Sequence, residues 1–533
     1  MGKFIGAALG AAALLAAIAP AVGTATPGVV GYNFEKRRVD ASEAPHRLRR
    51  RSNTVTATLT NEVLLYFINV TVGTPGQAFS LQIDTGSSDI WFPSVDADIC
   101  TEETDGCPYG TYDSSKSSTY SELASAPQFE IQYVDGTEIE GDFISDVLNI
   151  GSTKLTNMTM AVATQANTRG VGIMGIGFQS GEAEAEEDDF TYPNVINVLK
   201  NEGFINTLAY SLWLDDLDAN TGSILFGGVD TSKYSGNLVA LPIQVDSDTD
   251  AIDSFTVAWT GLTVSGSGQD SDFSPSSAQA AILDSGTTDT LLPDAIAEKI
   301  FNGVGVLSDE TYGNVVPCKL ADDDLTFSFQ FGGASGPIVN VSLSEFVTPL
   351  ETTDGSTPTY KNGDKACSFA IDAAGDDPIL FGDSFLRSAY VVYDLENQLI
   401  GLAQTNFNGG SSNVVVFSAS SSGIPGVTST ATGASVAQTA SDTGIPQVTE
   451  ATVTNTGDVG SGATSRSATF HLSTATTTDG SGSTSTGSSS SSSSSSKSAA
   501  NPNLRASSIE GTTIVAAGVV MAGLVFGSGL MYW

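Results

Sequence analysis

Between about residues 63 and 404, short apolar runs alternate with stretches of Gly, Asp, Asn and Ser. Six of them, "LYFINVTVG", "AFSLQID", "FEIQYVDG", "GSILFGG", "LTFSFQFGG" and "AYVVYDLENQLIGLA", are rich in β-branched and aromatic residues. Runs of that length and composition predict strands, and their spacing predicts an all-β protein. Only 195–202 and 293–301 have brief helical character.

The two halves of this region echo each other. In "FSLQIDTGSSDIWFP" (79–93) an apolar strand runs into Asp84, turns at Gly86 and becomes apolar again. Two hundred residues later "AAILDSGTTDTLLP" (280–293) repeats the pattern around Asp284 and Gly286. Each half then carries an apolar-glycine segment, "GIMGIGF" at 172–178 and "ILFGDSFL" at 379–386. A repeat at this separation implies two similar lobes with a cleft between them.

An aspartate at the end of a buried strand is costly unless hydrogen-bonded, and Thr85 and Gly86 supply nearby donors and a permissive backbone. One such loop alone reads as a structural turn. Two, placed by two lobes, bring Asp84 and Asp284 together, and close carboxylates cannot both ionise easily. One then keeps a proton while the other is charged. Such a pair can bind a water, the ionised member acting as general base and the protonated one donating to a substrate carbonyl. The implied chemistry is peptide hydrolysis through a tetrahedral intermediate, with no covalent adduct.

"DTGSSDIW" and "DSGTTDTL" resemble the two active-site motifs of the pepsin-type aspartic peptidases, a resemblance that covers about 63–404. It implies a bilobal double β-barrel with the active-site cleft between lobes, here about 52–240 and 241–407. By resemblance Asp84 and Asp284 are the catalytic dyad. Ser87 and Thr287 hydrogen-bond the outer carboxylate oxygens, Thr85 and Ser285 knit the loops together, and Thr288 borders the cleft. Tyr133, in "IQYVDGTEIEG", resembles the tyrosine of a flap hairpin that closes over substrate, with Val134, Asp135 and Gly136 at its tip. Trp91 resembles that tyrosine's indole partner. The sequence departs from the family at Val134, where glycine is common, and at Asp289, a charge that lies near the cleft or faces solvent.

At 533 residues the chain is long enough for two or more domains plus non-globular sequence. Lys3 and the apolar run after it read as a secretory signal, 1–21. The last residues are apolar too, but no Lys or Arg follows Trp533, and small residues from Ser498 precede a polar spacer. This layout fits a glycosylphosphatidylinositol (GPI) attachment signal at 499–533, with the lipid joined at Ser498, better than a tail anchor. Residues 408–498 are dominated by Ser, Thr and Gly, ending in a serine tract from Ser488 to Ser496. Such a segment buries too little to offset its chain entropy and reads as a disordered stalk.

Positive charge concentrates in "KRR" and "HRLRRR", the latter ending at Arg51, which marks 22–51 as a pro-segment and Arg51 as the site of a processing convertase. The net charge of the whole chain is −39. Removing the eight basic and three acidic residues up to Arg51 leaves 13 against 57, or −44. Nucleic acid is therefore excluded as a partner, because its phosphates would be repelled. The protein is expected to act as a monomer on protein or peptide substrates.

Signal, processing site, stalk and anchor signal around this core are similar to the fungal yapsin-like aspartic peptidases of the cell membrane and wall. The acidic run "EAEAEEDD" (182–189) reads as a solvated loop. If it borders the cleft, it favours basic residues in the substrate. Four cysteines in an oxidising compartment imply two disulfides with three possible pairings, of which Cys100–Cys107 with Cys318–Cys367 is the simplest. Two histidines and these spacings do not suit a metal site, and no cofactor is expected. Asn69, Asn157 and Asn340 stand in N-glycosylation sequons, Asn69 within a predicted strand. A rival reading is a non-catalytic wall glycoprotein that keeps the fold, and a nearer one is a secreted peptidase without an anchor.

Overall fold

In a computed structural model of the chain, each aspartate sits where a buried strand ends and a loop begins. The structure describes residues 27–40, 62–101, 107–133, 136–166, 170–185, 189–246, 251–266, 268–309, 312–350, 356–407, 409–418 and 423–436. The signal segment, Arg51, the flap-tip residues Val134 and Asp135, the stalk beyond 436, Ser498 and the C-terminal tail lie outside the described residues.

Strand Gln77–Asp84 pairs in parallel with Ile173–Gly175, which pairs antiparallel with Ile90–Pro93. In the second half, Gln279–Leu283 pairs in parallel with Leu380–Phe381, which pairs antiparallel with Thr290–Leu292. The two apolar-glycine segments are thus the central strands of two equivalent three-stranded units. Each has a glycine where the aspartate loop presses closest. A Cβ at Gly175 would lie 2.6 Å from the Asp89 backbone, and one at Gly382 would lie 2.3 Å from the Asp289 carbonyl. Any side chain there would push the loop away from the strand.

Around these units the chain is mostly strand, as the apolar runs predict. One sheet of eight strands, seven in a row with an eighth paired beside them, belongs to the C-terminal half. A larger sheet of fifteen strands contains the N-terminal half. It also takes in Ala389–Asp394 and Leu399–Thr405, which pair with each other and bring the chain's late strands against Ala209–Trp213 and Tyr234–Pro242. The lobes therefore do not part cleanly at residue 240, because one sheet is common to both. The expected helices form at Val195–Asn201, with Asn194 as its N-cap, and at Asp294–Val304, which stops at Gly305 in the left-handed region (φ 84°). Phe329, Phe331, Phe381 and Phe385 fill the C-terminal core with ring centroids 4.6–5.6 Å apart.

One boundary differs from expectation, and the described part of the expected pro-segment is folded onto the domain. Val30–Asp40, within the expected pro-segment, is an interior strand of the large sheet, with Glu62–Val72 on one side and Thr221–Phe226 on the other. Its alternation places Phe34 inward, edge-on to Tyr66 at 5.5 Å. The expected stalk begins too early. Val414–Val416 pairs with Gly228–Asp230, and Val427–Thr430 runs parallel to Tyr234–Pro242. Phe417, Ile424 and Ala431 are buried there, so a few apolar residues among many Ser and Thr suffice to hold this strap on the domain.

Cys100–Cys107 and Cys318–Cys367 are bonded, with Cα atoms 5.0 and 4.9 Å apart. Asn69, Asn157 and Asn340 are exposed. Among the described residues no helix is long and apolar enough to cross a membrane.

Candidate active site

Asp84 and Asp284 are both 0 % exposed. Gly86 N–H donates to Asp84 Oδ1 at 2.7 Å, and Gly286 N–H donates to Asp284 Oδ1 at 2.8 Å. Ser87 Oγ donates to Asp84 Oδ2, and Thr287 Oγ1 donates to Asp284 Oδ2 at 2.5 Å. The turn glycine and the hydroxyl three residues after the aspartate thus hold each carboxyl in the same way. This is why a short Asp-x-Gly-(Ser/Thr) sequence is sufficient to seat a buried acid.

The loops also hold each other. Ser285 N–H donates to Thr85 Oγ1 at 2.9 Å, and Thr85 N–H donates to Ser285 Oγ at 3.2 Å. Each hydroxyl passes its own proton on, Thr85 to the Leu283 carbonyl and Ser285 to the Ile83 carbonyl. Gln82 Nε2 adds a bond to the Gly286 carbonyl. Burial and the neighbouring Asp84 carboxyl, which hydrogen-bonds Asp284, raise the Asp284 carboxyl well above its ordinary range. Close like charges in a dry site disfavour ionisation of both acids at once.

Trp91 Nε1 donates to Tyr133 Oη at 2.8 Å, and both rings are buried in one cluster with Phe129, Ile131, Ile139 and Phe143. Tyr133 lies at the end of the hairpin formed by Gln128–Gln132 and Glu138–Ile150. Gly136 (φ 82°) donates to the Tyr133 carbonyl and turns the chain back. The inner face of this hairpin is apolar, and Glu130, Glu138, Glu140 and Asp142 are exposed on its outer face. Thr288 is buried, and its hydroxyl has no partner among the described residues.

One sequence expectation fails beside the site and another is narrowed. Of the two readings of Asp289, facing solvent is excluded, since it is 4 % exposed. The acidic run is not a freely solvated loop either, since Glu182 and Glu184 are 3 % and 5 % exposed. Glu184 Oε1 accepts the Glu130 N–H at 2.8 Å, and Glu182 Oε2 accepts the Tyr192 N–H at 2.8 Å. Backbone donors, invisible in a charge count, draw these carboxyls inward.

Sequence reasoning also missed a buried group behind Asp284. Arg387 Nε donates to Glu345 Oε2 at 2.6 Å, and its Nη2 donates to the Glu345 carbonyl. Asp383 is buried near them with both carboxyl oxygens without a partner among the described residues, and burial raises its pKa well above normal. The signal available was "GDSFLR", with two charges inside an apolar segment.

A profile of the eukaryotic aspartyl protease family matches residues 65–405. A probable aspartic-type endopeptidase, opsB, of Aspergillus fumigatus is 38% identical over 448 residues, covering 82% of this chain and 90% of that protein. Candidapepsin-3 of Candida albicans is 35% identical, covering 74% of this chain and 95% of that protein. The crystal structure of an aspartic proteinase from Irpex lacteus superposes with a TM-score of 0.53 at 21% identity, covering 72% of this chain and all of that one, and supports the fold.

Proposed function

Since the chain belongs to the eukaryotic aspartyl proteases and is an aspartic endopeptidase, we propose that Asp84 and Asp284 are its catalytic dyad. The observation that carries this is the matched hydrogen bonding of the two loops, each supporting one buried carboxyl and both joined through Thr85 and Ser285. With one proton shared, the ionised member takes a proton from a bound water while the other donates to the scissile carbonyl oxygen. The tetrahedral intermediate then collapses as the leaving nitrogen is protonated and the C–N bond breaks. Tyr133, oriented by Trp91, closes over the substrate with Val134, Asp135 and Gly136, and Thr288 borders the cleft.

The remaining assignments concern where the enzyme works. We place it in the secretory pathway and at the cell surface, after removal of the signal, cleavage after Arg51 and GPI attachment at Ser498. The secreted aspartic protease 3 of Candida albicans, 35% identical, supports the secretory route. Asn69, Asn157 and Asn340 are exposed, as glycan acceptors must be. A preference for basic residues near the scissile bond rests on the net charge and on the exposed flap carboxylates. Glu182 and Glu184 no longer contribute to it, because both are engaged inside the fold.

The test is hydrolysis of a peptide library at acidic pH by processed protein and by Asp84→Asn. Cleavage lost by about 10³-fold or more in the variant supports the dyad. Undiminished cleavage by a folded Asp84→Asn protein contradicts it. Equal rates for peptides differing only in Lys or Ala beside the scissile bond remove the basic preference.

A further inference from the structure

Asp89 lies five residues after Asp84, between the catalytic loop and Trp91. It is 1 % exposed. Its Oδ1 accepts the Tyr192 hydroxyl at 2.5 Å, and its Oδ2 accepts the Ala183 N–H at 2.9 Å. Glu182, adjacent to Ala183, accepts the Tyr192 N–H through Oε2, while its buried Oε1 has no partner among the described residues. Asp89 therefore fastens both ends of the 182–192 loop to the catalytic loop, and Glu182 ties those two ends to each other. Glu184 ties the same loop to the Glu130 N–H on the flap. Phe190 and Tyr192 rest on Phe143 of the flap's second strand, with ring centroids 5.0 and 5.6 Å away.

We propose that Asp89 and Glu182 are positioning residues for the peptidase reaction: a protonated carboxyl brace that holds the flap base over the dyad and loosens when its proton is lost. The ionisable groups around the brace are Asp89 from the catalytic loop and Glu182, Glu184 and Tyr192 from the 182–192 loop. Glu130 is on the flap strand, and the Asp253 backbone lies behind Gly181. All of them are acids, and Asp89 is the charged group acting on Glu182. Burial pushes Glu182 up to about 9 and Asp89 up to about 6. Because folding raises both values, the folded state binds more protons than the unfolded chain above about pH 4. The brace is fully present below that pH and is lost as pH rises, first through the titration of Asp89 near 6.

The proposal rests on the peptidase reading for its kinetic arm alone. Asp89→Asn keeps an acceptor for the Ala183 N–H and places a neutral amide beside the Tyr192 hydroxyl, so it imitates the protonated form of the group that titrates first. The experiment measures kcat/KM from pH 3 to 8 and Tm at pH 4 and pH 7, for the parent and for D89N. The expected result is turnover within about twofold at pH 4, with the alkaline half-maximum moved up by about half a pH unit or more. The fall in Tm between the two pH values is expected to be smaller in the variant. The dyad titrates in both proteins, so the difference between them reads Asp89. Coincident alkaline limbs overturn the positioning role, and an equal fall in Tm overturns the brace. A parent without turnover contradicts the peptidase reading and leaves the melting comparison to decide. Should D89N not fold, Glu182→Gln is compared with the parent by Tm alone, because the Glu182 carboxyl stays protonated in the folded state over this range.

Discussion

The N-terminal and C-terminal aspartate loops make the same bonds to their own carboxyls, yet they are supported from behind by different means. Behind Asp84 stand Asp89, Glu182 and Tyr192, acids with no cation bonded to them among the described residues, joined by way of Glu184 to the flap. Behind Asp284 stand Asp383 and the buried Arg387–Glu345 ion pair, joined to the sheet that both halves share. Equivalent aspartate positions therefore do not require equivalent surroundings. One support is built of acids, and the other adds a pair of opposite charges to a buried acid.

The largest expected effect lies on the C-terminal side. Arg387→Met leaves Glu345 buried without its cation and is expected to cost about 3–5 kcal/mol of stability, measured by denaturant unfolding. Glu182→Gln, its counterpart in the comparison, should cost far less at pH 4. Equal losses would erase the distinction between the two supports. Next comes the strap on the common sheet. Ending the chain after Phe407 rather than after Val436 exposes the surface that Phe417 and Ile424 cover, and should lower stability by about 3 kcal/mol. An unchanged melting curve for the shorter protein would show that the strap is dispensable. The smallest effect is expected at the flap. Tyr133→Phe removes the oxygen that accepts the Trp91 N–H and should lower kcat/KM by about three- to tenfold, with little change in Tm.

Much of this arrangement was legible in the sequence. The β pattern, both helices, the paired Asp-(Thr/Ser)-Gly loops and the apolar-glycine strands depend on local residue order, and they appear where the sequence predicts them, while the contact of Trp91 with Tyr133 was implied only by the family resemblance. What was missed depends on long-range contacts. Val30–Asp40 reads only as pro-segment because basic residues crowd its end, and nothing local shows that its Val30, Tyr32 and Phe34 join a sheet whose neighbouring strands come from residues 62 and 221 onward. Residues 409–436 read as stalk because Ser, Gly and Val dominate, although Phe417 and Ile424 each find a place on the folded domain. Glu182 and Glu184 read as solvated because charge predicts exposure, and only the fold brings the Tyr192 and Glu130 amides to them.

The central claim is that the two loops form one catalytic unit in spite of their different supports. The most direct measurement is kcat/KM at the acidic optimum for Asp84→Asn, Asp284→Asn and the double variant. The account predicts that each single change is as damaging as both together, because a shared proton and a water held by two carboxyls are lost when either is removed. Substantial activity in either single variant, or losses that add in the double variant, would contradict it.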